Sequence, residues 1–86
     1  MSKRMTKSLH SREQKALIRA LRQIRIGAGL RQADLAKRLE KPQSFVSKYE
    51  TGERRLDLPE IRKICQALDI RLTEFVRLFE RLAQEK

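Results

Sequence analysis

Tryptophan is absent from this 86-residue chain, and cysteine and tyrosine occur once each, proline twice and glycine three times. A single cysteine, Cys65, set in an apolar run, permits no internal disulfide, which excludes a small secreted scaffold and fits a reducing cytoplasm. So few glycines and prolines leave too few turns for a β-rich fold. No apolar run approaches the length of a membrane span or a signal-peptide core, so the chain is expected to be soluble and untargeted. No base and orienting group accompany Ser44, Ser47 or Cys65, so nucleophilic catalysis has no machinery and the chain is not expected to be an enzyme. His10 has no partner at ligand spacing, and neither a metal nor another cofactor is expected.

What is present in excess is positive charge. The formal net charge is +10 and the pI about 10.7, which points to a polyanionic partner. The excess is uneven: residues 1–31 hold nine Lys/Arg against one acid, whereas residues 57–86 hold six against six. An RNA partner is disfavoured, because the aromatic platforms that stack unpaired bases are missing. A hydrophobic content of 40% beside 37% charged residues suits a small all-α domain.

The apolar periodicity predicts five helices. Ser11 followed by Gln14 has the form of a capping box, and Leu17, Leu21, Ile24 and Ala28 then recur at helical spacing until Gly27 and Gly29 release the chain. Residues 1–10 read as a flexible basic arm ahead of a single domain over 11–86. A second, short helix runs from Gln32 to Leu39 with Leu35, Ala36 and Leu39 inward, ended by the sequence EKP. Pro42 can open a third. Asp57 can cap a fourth, with Ile61, Ile64, Cys65 and Leu68 on one face, and a fifth begins near Leu72.

The third helix, QSFVSKYETG, is the informative one. At about 100° per residue, Gln43, Ser44, Ser47 and Lys48 share one arc while Val46 and Tyr49 lie opposite. Glutamine pairs with adenine in bidentate fashion, lysine donates to guanine and serine does either, so the outer arc suits base edges. A merely solvated polar face would look the same in isolation. Phe45 falls on the border between the arcs, which allows packing on the scaffold or contact with a thymine methyl or sugar.

The longer stretch GLRQADLAKRLEKPQSFVSKYETGERRLD resembles the helix-turn-helix of the phage-repressor and Cro family, the XRE-type DNA-binding domain, and the likeness extends over roughly residues 16 to 80. The resemblance implies a five-helix, lambda-repressor-like fold with the motif at about residues 32–51. By position it assigns Gln43, Ser44 and Lys48 to bases and Gln32, Lys41, Ser47, Arg54 and Arg55 to phosphates. It makes Ala36 the small residue at the helix crossing and pairs Arg25 with Glu50 in an interhelical salt bridge. Glu40 departs from the family's usual turn glycine. A left-handed conformation there costs a non-glycine residue about 1 to 2 kcal/mol, so an altered turn is the alternative.

The resemblance also implies a transcriptional regulator of double-stranded DNA, with an antitoxin that binds its own operator or a restriction-modification controller as the competing roles. On helix 5, Leu72, Phe75, Val76, Leu78, Phe79 and Leu82 span roughly 160°, where a one-sided helix needs about 100°. The surplus assigns Phe75, Leu78, Phe79 and Leu82 to a homodimer interface, unless the first helix covers them all.

Overall fold

The computed structural model describes residues 11–85, all of whose regular structure is helical: α1 (Arg12–Gly27), α2 (Gln32–Leu39), α3 (Gln43–Thr51), α4 (Leu58–Ala67) and α5 (Leu72–Gln84). The basic arm lies outside the described residues. At the start of α1, Ser11 Oγ accepts the Gln14 amide at 3.0 Å, satisfying an amide that has no partner within the helix. The helix ends when Gly29 takes φ 76° and the Leu30 amide returns to the Arg25 carbonyl at 3.2 Å. Gly27 and Ala28 depart from expectation. Gly27 is the last helical residue, and Ala28, expected on the apolar stripe, is an exposed cap; the buried side runs through Ala16, Ala20, Leu21 and Arg25.

Two further helix ends use a non-glycine residue in the left-handed region. Glu40 sits at φ 58°, ψ 43°, so the turn between α2 and α3 keeps the conformation that a glycine would take without cost. The Lys41 amide then reaches the Ala36 carbonyl at 3.0 Å, which closes α2. Asp69, at φ 60°, plays the same part after α4. Pro42 stands one residue before α3 as its cap, rather than inside it, and has no side-chain acceptor to offer the first amides. At α4, Asp57 and Glu60 form a reciprocal capping box, each side chain accepting the other's backbone amide at 2.9 Å. At α2 and α5 only half of that device exists. Asp34 and Glu74 accept the amides of Arg31 and Arg71, but arginine has no acceptor to return.

The helices share one core, in which Leu21, Leu35, Val46, Tyr49, Ile64 and Cys65 are almost completely buried. Ala36 is buried on α2, which packs on α3, and Val46 and Tyr49 are the apolar feet of α3, as their arc predicts. α5 packs chiefly on α1, and its Phe75 and Leu82 enter the core. Their burial removes them from any external face. Leu78 and Phe79 are half-buried, and Val76 is 39% exposed.

One charged pair belongs to this interior. Arg25 Nε and Nη2 donate to the two carboxylate oxygens of Glu50 at 2.7 and 3.0 Å, and Arg25 Nη1 donates to the Leu30 carbonyl at 2.8 Å. The side chains are only 9% and 3% exposed. The interhelical bridge implied by the family likeness is therefore formed, as a two-pronged pair that ties α1 to α3. Such a pair costs much in desolvation, so it fixes geometry more than it adds stability; losing one member strands the other charge.

Two measurements follow from the core. Glu50→Ala should cost about 3–5 kcal/mol in urea unfolding, a large part of the stability of so small a domain, whereas Arg25→Met/Glu50→Leu should recover most of it. Equal losses in both proteins would show that the pair itself is stabilising. Burial pushes the Cys65 thiol up to about 11, and Cys65 is 1% exposed. Iodoacetamide at pH 8 should therefore modify it only at the rate of unfolding; prompt labelling of the folded protein would contradict this.

Candidate nucleic-acid interface

The sequence places Gln43, Ser44, Ser47 and Lys48 on one arc of α3, and the structure turns that arc outward while Val46 and Tyr49 hold the other side in the core. Gln43, Ser44 and Lys48 are exposed; Ser47 is half-buried at the edge of the arc. Gly52 ends the helix at φ 87°, and a Cβ there would meet Ile18 Cδ1 of α1 at 3.7 Å. The α3 N-terminus thus stands clear while its C-terminal end is fixed by Gly52 and by Glu50. Alone among the five helices, α3 has no acidic residue in its first turn. Its amides and helix dipole present a positive end to the solvent, with exposed Lys41 just before it.

The buried pair extends to this surface through two glutamines. Glu50 Oε1 accepts from Gln32 Nε2 at 2.9 Å, and Gln32 Oε1 accepts from Gln43 Nε2 at 3.4 Å. The chemistry fixes both amides. An ionised carboxylate only accepts, so Gln32 must turn its nitrogen toward Glu50 and its oxygen toward Gln43. Gln43 then keeps its own oxygen and one N–H for an outside partner. The helical arc pointed to Gln43 and the family resemblance to Gln32 as surface contacts, but neither gave a sign that they touch each other, because the ten intervening residues include a turn.

Phe45, open between two readings in the sequence, packs on the scaffold. It is half-buried, and its ring meets Tyr49 edge-on with centroids 5.6 Å apart. Lys41 Nζ lies 5.4 Å and the Arg54 guanidinium carbon 4.8 Å from the ring centre, within the range of cation–π attraction.

Arg54 and Arg55 are adjacent and were expected to act alike on phosphates; the structure gives Arg54 a carboxylate partner. Arg55 is exposed. Arg54 donates through Nη1 and Nη2 to the two oxygens of Glu60 at 3.2 and 2.8 Å, and through Nη1 to the Arg55 carbonyl at 3.0 Å. The bridge holds the Glu60 carboxyl below its ordinary range, helped by the Asp57 amide, and raises Arg54 in return. Glu60 was read from the sequence only as part of a helix, since a six-residue separation across a loop carries no periodic signal.

Among the described residues, no group of three or more His, Cys, Asp or Glu side chains is arranged to hold a metal ion, and no helix is long and apolar enough to cross a membrane.

Comparison with known proteins agrees with this geometry. A helix-turn-helix family model matches residues 21–75. An XRE-family like protein from Pseudomonas syringae pv. tomato str. DC3000 is 38% identical, with 91% of this chain and 95% of that one covered and a TM-score of 0.79. The restriction-modification controller protein C.Esp1396I, as a tetramer in complex with its natural 35 base-pair operator, is 20% identical over 88% of this chain and 100% of that one, with a TM-score of 0.82. The clp gene regulator ClgR from Corynebacterium glutamicum is 21% identical over 83% of this chain and 76% of that one, with a TM-score of 0.75. These last two likenesses speak for the fold. No curated protein matches the chain. The family model covers well over half of the chain, and the motif it describes is the one built here from α2, the Glu40 turn and α3; the protein belongs to the XRE-type helix-turn-helix family.

Proposed function

We propose that the protein is a transcriptional regulator of the cytoplasm that binds double-stranded DNA in a sequence-specific way, placing α3 in the major groove. The observation that carries this reading is the outward arc of Gln43, Ser44 and Lys48 on a helix fixed from behind by the Arg25–Glu50 pair. Because the Gln32 link leaves Gln43 an acceptor oxygen and a free N–H, Gln43 suits adenine N6 and N7, and Lys48 suits guanine O6 and N7. Gln32, Lys41, Ser47 and Arg55 border that arc and are proposed as phosphate contacts, which set position and salt dependence rather than sequence. The C.Esp1396I tetramer on its operator supports the reading by the likeness of its fold.

Selection of bound sites from random duplex DNA tests the proposal. Gln43→Ala and Lys48→Ala should each relax preference at particular base pairs by about 1 to 3 kcal/mol. Lys41→Ala and Arg55→Ala should instead weaken all sequences alike and reduce the slope of log affinity against log salt by about one. If the Gln43 and Lys48 variants keep every base preference while Lys41→Ala or Arg55→Ala alters them, the orientation of α3 is wrong.

We further propose a homodimer through α5 that reads a palindromic operator, its two recognition helices about 34 Å apart. Phe75 and Leu82 support the face from within the core; Leu78, Phe79 and the exposed Val76 supply its surface. Val76→Glu should shift sedimentation toward monomer and weaken binding to a two-half-site operator far more than to a single half-site. A wild-type protein that remains monomeric both free and on DNA would remove the two-fold operator from the reading.

A further inference from the structure

The Arg54–Glu60 pair has no place among the contacts assigned above, yet it stands beside the recognition helix. Glu60 is held on two sides: its Oε1 accepts the Asp57 amide at 2.9 Å as part of the α4 cap, while both oxygens receive Arg54. Arg54 in turn covers Phe45 of α3, whose ring packs on the buried Tyr49. A chain of contacts therefore runs from the α4 N-terminus through a guanidinium to the inner side of α3.

The chemistry of that arrangement is informative. A carboxylate presents two oxygens to a guanidinium fork in the way a phosphate does. Arg54, in the loop after α3, is thus already bound to an oxyanion supplied by the protein. For a DNA phosphate to take Arg54, it must break two charge-assisted hydrogen bonds and draw the guanidinium off the ring. It must also leave the Glu60 carboxylate unpaired beside a polyanion. Each change opposes the exchange; Lys41 shares the Phe45 ring, but it joins no ion pair among the described residues, so a phosphate can take it without breaking one.

We infer that Glu60 acts as an internal substitute for phosphate, which withholds Arg54 from the DNA backbone and so limits sequence-independent affinity, while Arg54 serves as a positioning residue that braces α3 against α4. This inference rests on the DNA-binding reading. It takes Arg54 out of the phosphate contacts to which the resemblance assigned it and makes it part of the scaffold.

The test is a double-substitution cycle, read as the salt slope of binding to the selected site and to an unrelated duplex. Glu60→Gln keeps an acceptor for the Asp57 amide, so the α4 cap and the fold should be retained, which circular dichroism checks. This variant should bind both DNAs more tightly, with a slope steeper by about one unit, the value of one added phosphate contact. In the Arg54→Ala background the same substitution should produce no such steepening, and the double variant should keep the wild-type slope. The proposal is overturned if Glu60→Gln leaves the wild-type slope unchanged while Arg54→Ala alone flattens it by a unit, for Arg54 would then already lie on a phosphate. It is equally overturned if Glu60→Gln steepens the slope whether or not Arg54 is present, since any lost acid would do the same. Failure of all four proteins to bind duplex DNA would instead remove the proposed function itself, and this inference with it.

Discussion

The orientation of the recognition helix depends on the ion pair of Arg25 and Glu50. Three of its hydrogen bonds join separate parts of the chain: two cross from α1 to the C-terminal part of α3, and one holds the Leu30 carbonyl in the turn before α2. Apolar packing alone fixes α3 loosely in rotation, because Val46 and Tyr49 present a broad surface to the core. A two-pronged bond between nearly buried charges tolerates little rotation, since misalignment would leave donors or acceptors desolvated without partners. The same carboxylate then orders Gln32, and Gln32 orders Gln43. A buried electrostatic constraint is thereby transmitted to an exposed amide, so that one face of the interface is arranged before any partner arrives.

Constraint at one end of α3 is matched by openness at the other. Pro42 contributes no capping oxygen and the first turn has no acid, so the helix dipole is not answered within the protein. The other helices have an acidic residue in the first turn: Glu13, Asp34, Glu60 and Glu74. Glu40, beside the open end, is held in a left-handed turn whose geometry the motif requires even without glycine. The backbone strain of about 1 to 2 kcal/mol is small enough for the Lys41–Ala36 hydrogen bond and the packing of α2 on α3 to sustain it.

Much of this was legible in the sequence because it is local. Helix spacing located five elements, Ser11 and Asp57 marked starts, and the opposed arcs of α3 separated its feet from its outer face. The resemblance supplied the Arg25–Glu50 pair, which no local pattern contains. What was not legible depends on groups brought together across turns. Asp69 gave no sign of its positive φ, since aspartate adopts that region only where the following chain demands it. Ala28 continued an apolar period that the Gly29 turn had already ended. Phe45 lay between arcs, and only the approach of Tyr49 and Arg54 assigned it to the scaffold. The glutamine relay and the Arg54–Glu60 pair were hidden for the same reason: each joins side chains on separate elements, across a turn or loop that periodicity within one helix does not span.

The division of labour between the two kinds of cation follows from their shapes. The ion pairs Arg19–Glu85, Arg25–Glu50, Arg31–Asp34 and Arg54–Glu60 all use arginine, and no lysine joins such a pair among the described residues. A guanidinium fork fits a carboxylate at two points and gains from being fixed; an ammonium is a hydrated point charge on a flexible stem and loses more entropy than it gains when held. Arg25 and Arg54 accordingly became parts of the scaffold, one in the interior and one on an aromatic face. The strong positive charge of the chain therefore overstates what a polyanion can engage: arginines matched to carboxylates contribute geometry, whereas Lys41, just before the recognition helix, and Lys48, in its last turn, join no ion pair among the described residues. Charge counted along the sequence identifies the class of partner, but the pairing of each cation decides where that partner is held.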